Sequence, residues 1–201
     1  MAAPQDYRWF GRKFESLAVA YCFSYLRGVS ADEALTRFGV RGRRRTLSLD
    51  ELEEHAFDAV GSDCEFSYPG ALEIDGWTLL IEPNGFLGAS EIGEAASRGT
   101  ELIAQFVNVN AHNSFVWARD GEVRVTFDMM FPQDRDGNDP DALIDLMRVS
   151  GLDPDRAGDD EEPDELCFEA GFALAANLTG IELTAKLLRR STFLCGRAPI
   201  P

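Results

Sequence analysis

The sequence predicts an α+β fold: a mostly antiparallel β-sheet over about residues 64–131, packed on its apolar face by N-terminal and C-terminal helices. Three observations predict it. Between Gly76 and Pro132 the runs WTLLIEPNGFLG, ELIAQFVNVN and SFVWARDGEVRVTFDMMFP are rich in β-branched and aromatic residues and broken by turn signals. Two Asp-Gly steps, Asp75-Gly76 and Asp120-Gly121, mark hairpins inside that stretch. On either side of it, apolar residues recur at the three-to-four spacing of amphipathic helices.

Taken in order, Phe10, Phe14, Leu17, Tyr21 and Tyr25 predict one helix from Tyr7 to Leu26, ended by Gly28. Ser30 with Glu33 three residues on is a capping box, and the helix it opens stops at Gly39. Ser48 and Glu51 repeat the device, with Leu47 placed to staple onto Leu52 in a helix running to about Val60. In the first hairpin a two-residue loop sets Ile74 opposite Trp77 and Leu72 opposite Leu79. At the second, the apolar pattern favours a three-residue loop, Arg119-Asp120-Gly121. That loop aligns Phe115 and Trp117 with Val123 and Val125 and brings Phe127 to the same face. A short helix over Ser90–Arg98 interrupts the sheet.

Beyond the sheet, Asp139-Pro140-Asp141 reads as a helix start, with Leu143, Leu146 and Met147 on its apolar side. Residues 153–164, DPDRAGDDEEPD, have almost nothing to bury and read as an acidic mobile loop. ELCFEAGFALAANL is apolar around much of its circumference, a helix packed on more than one side. ELTAKLLRR is the last helix, before an irregular tail.

Composition bounds the function. The 201 residues, 45% of them hydrophobic and 14 of them Phe, suit a single domain over 1–201 with a real core. No apolar run approaches the roughly 20 residues of a membrane span, and the first residues lack a signal-peptide core. Cys22, Cys64, Cys167 and Cys195 form no CxxC pair; Cys22 and Cys167 fall in helical apolar patterns, and a cytoplasmic setting follows. The net charge is −16. Residues 1–60 carry nine basic and nine acidic side chains, so the whole excess lies in the remaining 141. Such a chain is repelled by phosphate backbones and anionic membranes, which makes nucleic acid an unlikely partner. Arg41-Gly42-Arg43-Arg44-Arg45 stands out as the only basic cluster in the linear sequence.

Four islands, YCFSYLRGVSADEALTRFG, GWTLLIEPNGFLG, FVNVNAHNSFVWARDGEVRVTFD and LTGIELTAKLL, taken in this order, resemble a family of uncharacterised single-domain proteins common in high-GC Gram-positive bacteria. The resemblance implies one domain and a cytosolic setting, and it transfers no catalytic residue.

Chemistry is sparse. Histidine is limited to His55, mid-helix, and His112, in the turn Asn110-Ala111-His112-Asn113. Local backbone hydrogen bonding accounts for that turn; the functional alternative makes His112 a general base oriented by Asn108 or Asn110. Glu82-Pro83-Asn84-Gly85 ends a strand in turn chemistry that explains Asn84. If Glu82 points inward it needs a partner, and Arg119 and Arg124 are the candidates. Asp134, Asp136, Asn138 and Asp145 only partly follow a calcium loop, because Asp139 stands where glycine is required, and a solvated loop is the better reading. Nucleotide-binding glycine patterns and a GxSxG elbow are missing, so no cofactor or metal is expected.

The expectation is a non-enzymatic protein-interaction module, of regulator, inhibitor or immunity type, whose partner offers a basic surface. Glu82, Asn84, Asn108, Asn110, His112, Arg119 and Arg124 are its candidate binding residues. One alternative is a small-molecule-binding protein or hydrolase with a site at one end of the sheet. Another is an acidic DNA-mimic inhibitor.

Overall fold

The computed structural model describes residues 1–60, 65–156 and 164–201. Cys64 and the acidic run at 157–163, the heart of the expected mobile loop, lie outside the described residues. In chain order, a 3-10 turn (Pro4–Tyr7) leads to α1 (Trp9–Lys13), α2 (Glu15–Val19), β1 (Tyr21–Arg27), α3 (Ala31–Arg37), β2 (Arg45–Leu47) and α4 (Leu49–Val60). Then come β3 (Phe66–Ser67), β4 (Gly70–Ile74), β5 (Trp77–Pro83), a second 3-10 turn (Leu87–Ala89), α5 (Glu91–Ala96) and β6 (Glu101–Val107). The chain continues through β7 (Asn113–Arg119), β8 (Glu122–Asp128), β9 (Phe131–Asp136), α6 (Ile144–Val149) and α7 (Cys167–Thr179). It ends with α8 (Ala185–Arg190), β10 (Phe193–Cys195) and β11 (Ala198–Pro199).

The fold is α+β around an antiparallel nine-stranded sheet of order β2-β10-β4-β5-β1-β6-β7-β8-β9, with β11 and β3 forming a separate pair. The sheet reaches well beyond 64–131. Its central strand is β1, which lies in the segment whose spacing predicted a helix; that segment is helical only to Val19. The reason is burial on both faces. Tyr21, Phe23 and Tyr25 enter one core while Cys22 and Leu26 enter the other, so the alternation that marks a half-buried strand disappears. Cys22 is therefore a strand residue, whereas Cys167 opens a helix as expected. The tail also joins the sheet: β10 pairs with both β2 and β4.

Helices cover both faces, not one. The larger core sets α7, the first 3-10 turn, α1 and α4 against the odd-numbered residues of β1 and β5. Phe10 touches Tyr21, Phe23 and Phe172 with ring centroids 5.2, 5.6 and 4.9 Å away. The second core packs α3, Leu87–Ala89 and α5 on the opposite face, around Leu35, Phe38, Leu80 and Leu102.

Local signals are obeyed where they are strong. Ser30 accepts from the Glu33 amide, and the Ser48 amide donates to Glu51 at 2.8 Å. Ile74 faces Trp77 and Leu72 faces Leu79, with Asp75 and Gly76 both left-handed. The second hairpin departs from its expected loop. It closes in two residues, with Arg119 opposite Glu122 and Asp120 and Gly121 at φ 55° and 83°. The extra residue sits farther along, where Ala118 faces Val123 but Trp117 faces Val125. Phe115, Trp117, Val125 and Phe127 still share a face; Val123 moves to the other core. The strands absorb the slip because a two-residue left-handed turn matches their twist. Replacing Gly121 with valine should cost about 1–3 kcal/mol, since the position is left-handed and a Cβ there lies 2.8 Å from Arg98 Cγ. Asparagine should cost less, and equal melting temperatures for wild type and both variants would contradict this turn.

Asp139 does not start a helix. Residues 139–143 form turns, α6 begins at Ile144, and the Asp139 carboxylate takes Arg124 at 3.0 Å. Asp134 and Asp136 lie in β9, and no group of three or more potential ligands is gathered for a metal among the described residues. No helix among them is long and apolar enough to cross a membrane.

Candidate functional site

Glu82 is the most unusual charged residue in the core. It faces Cys22 across β5 and β1 and is fully buried. Neither Arg119 nor Arg124 is its partner. Its carboxylate accepts from the backbone amides of Leu87 (3.0 Å) and Gly88 (2.9 Å) and from the Ser67 hydroxyl (3.2 Å). Burial pushes its pKa up to about 7, against the pull of those three donors and of the Cys22 thiol. The Cys22 thiol is raised well above its usual range by burial and then by the nearby carboxylate. Glu82 thus ties β3 and the Leu87–Ala89 turn to the central sheet. These contacts are all internal to the fold.

The pairings of β1 with β5 and β6, and of β6 with β7, place Pro83, Tyr21, Val107 and Asn113 side by side at one end of the sheet. Asn84, Asn108, Asn110 and His112 therefore do converge on one end. Their chemistry there is local. Asn108 Oδ1 accepts from the amides of Asn110 and His112 at 2.9 and 3.0 Å, Asn84 and Ala111 are left-handed, and His112 is exposed. Arg119 stands exposed at the opposite end of β7, and Arg124 sits in mid-strand on Asp139. His55 stacks on Tyr68 with ring centroids 5.3 Å apart. The seven residues singled out from the sequence do not form one site.

Helix α4 carries what that reading passed over. Leu49, Leu52 and Ala56 face the core, which turns Asp50, Glu54 and Asp58, spaced i, i+4, i+8, into one exposed ridge. None of the seven ion pairs among the described residues uses a side chain of α4. Like charges at this spacing repel along the helix. Beside the ridge Phe57 leaves 54% of its surface in water. The signal was present in LDELEEHAFDAV, where a phenylalanine falls off the apolar face of the helix.

A second surface joins the two ends of the chain. Helix α1 packs on α8, which brings Lys13 into common grooves with Lys186 and Arg189, where Asp6, Glu15 and Glu182 also lie. Arg8, Arg12 and Arg190 are exposed on the same segments, and none of these six cations is in an ion pair among the described residues. Arg189 lies over the Phe14 ring at 5.3 Å and reaches the Lys13 carbonyl at 3.5 Å. Arg41–Arg45 is therefore not the only basic cluster; within it Arg44 is paired with Asp32. A groove of about 500 Å³ runs between the two surfaces, with Lys13 and Arg189 on one wall and Asp50 and Glu53 on the other.

In comparisons with known proteins, a family model described as a family of unknown function (DUF6461) matches residues 1–201. Neither a curated protein nor a solved structure matches the chain.

Proposed function

We propose, from the premise that the chain belongs to that family of unknown function (DUF6461), that it is a protein-interaction module, a regulator or inhibitor that docks a basic protein surface on α4. The observation that carries this reading is the ridge of Asp50, Glu54 and Asp58, in no ion pair among the described residues, beside a half-exposed Phe57. The helix tolerates like-charge repulsion and keeps an aromatic side chain in water, and no ion pair among the described residues offsets either. An aromatic anchor with a charged rim is a common composition for a docking surface. Three buried free thiols, Cys22, Cys167 and Cys195, are in keeping with a reducing, cytoplasmic setting.

The triple variant Asp50→Asn, Glu54→Gln, Asp58→Asn tests it. Its melting temperature should stay close to wild type, because relief of the repulsion offsets the loss of the Asp50 charge in the first turn of α4. As bait in native lysate it should retain at least about tenfold less of the protein that wild type captures stoichiometrically. Association with that protein should slow and lose its salt dependence. Equal capture by both baits would overturn the reading.

A further inference from the structure

We infer that the face formed by α1, α4 and α8 is also a two-fold dimer interface, in which the cations of α1 and α8 in one copy meet the α4 carboxylates of the other. This rests on the reading of α4 as a docking face and names a second copy of the chain as an occupant of it. A two-fold interface uses the same patch twice, so the patch must be complementary to itself. This one is. Lys13 and Arg189, with Glu15 beside them, line one side of the groove and Asp50 and Glu53 the other; Glu53 bonds Ser16, but no ion pair among the described residues closes the groove within one copy.

A two-fold axis passing between the walls exchanges them, so each cationic wall meets an anionic one. Phe57 follows Asp50 and Glu53 at i+7 and i+4, on the same side of α4, and adds exposed apolar surface beside the charges. Lys13 and Arg189 stand in no ion pair among the described residues, so beside the acidic wall they leave positive charge available to the carboxylates of a second copy. Nucleic acid is disfavoured, because the rest of the molecule repels it. The repulsion between two acidic copies is screened beyond about 8 Å at physiological salt, while charges in contact across the interface keep their attraction. A basic partner would then have to displace the second copy, so self-association would regulate access to α4.

Charge exchange tests the inference. One variant carries Lys13→Glu and Arg189→Glu, the other Asp50→Lys and Glu54→Lys. Sedimentation at physiological salt should give a wild-type dimer. Each variant alone should dissociate at least about tenfold more readily. An equimolar mixture should recover a heterodimer, since each reversed wall again faces its opposite at both contacts. Melting curves establish that the variants fold; if Arg189→Glu disturbs the Phe14 contact, Arg12→Glu with Arg190→Glu replaces that pair. A wild-type monomer at the solubility limit, variants that dimerise like wild type, or a mixture no more associated than its components would each overturn the inference. The two readings fail separately. A monomeric protein whose triple α4 variant still loses lysate capture keeps the docking function and loses the dimer. A charge-rescued dimer with unchanged capture does the reverse.

Discussion

Replacing Glu82 with alanine should cost about 3–5 kcal/mol and lower the melting temperature more than any surface substitution. The change strands the Leu87 and Gly88 amides without an acceptor and frees Ser67, all on buried ground between the sheet and the second core. Glutamine should cost less, because it keeps one acceptor oxygen but turns an amide toward a donor. The pH dependence separates the charge from the packing. Glu82 has its folded pKa raised from 4.5 to about 7, so between those values the native state binds more protons than the unfolded one. Its contribution is fully present below about pH 4.5 and is lost as pH rises through about 7, a swing on the order of 3 kcal/mol. The protonated carboxyl can donate to Ser67 while both oxygens still accept from the backbone, so no hydrogen bond is given up on protonation. Subtracting the Glu82→Gln stability profile from the wild-type profile between pH 4 and pH 8 isolates this carboxyl from the rest of the acidic chain. A flat difference would refute the assignment.

Gly93→Ala should be the other severe change, about 3 kcal/mol, with a fall in melting temperature of roughly 6–12 °C. Helix α5 crosses the Leu87–Ala89 turn backbone to backbone. A Cβ at Gly93 would lie inside van der Waals contact of the Gly88 carbonyl oxygen and 2.6 Å from its carbon. Backbone cannot rotate aside as a side chain can, and Gly88 is itself held by Glu82. Gly11→Ala is the control: Gly11 sits in α1 with nothing within 4 Å, so alanine should be neutral or stabilise by up to about 1 kcal/mol. If thermal melts of the two variants coincide, the close crossing of α5 is wrong.

These two effects lie where the sequence said least. Pro-Asn-Gly announced a turn after Glu82, but nothing in linear spacing says that the carboxylate will be used by amides five and six residues later. The candidate surfaces divide in the same way. Asp50, Glu54, Phe57 and Asp58 belong to one helix, so their shared face follows from 3.6 residues per turn and was legible in the sequence. The cations of α1 and α8 lie more than 170 residues apart along the chain, and only the packing of those helices makes them one surface.

By itself the sequence determined whatever a few neighbouring residues decide: the caps at Ser30 and Ser48, the Asp75-Gly76 register, the ends of α3 and α5, and the α+β class. Tertiary structure alone decided the placement of β1 and β10, the covering of both faces, and the bulge that lets Asp120-Gly121 close in two residues. A cap or tight turn is settled by hydrogen bonds and dihedrals within about four residues. A strand buried on both faces has no alternation to read, and a three-residue strand is too short to show a period, so each becomes a strand only when distant neighbours supply its hydrogen bonds.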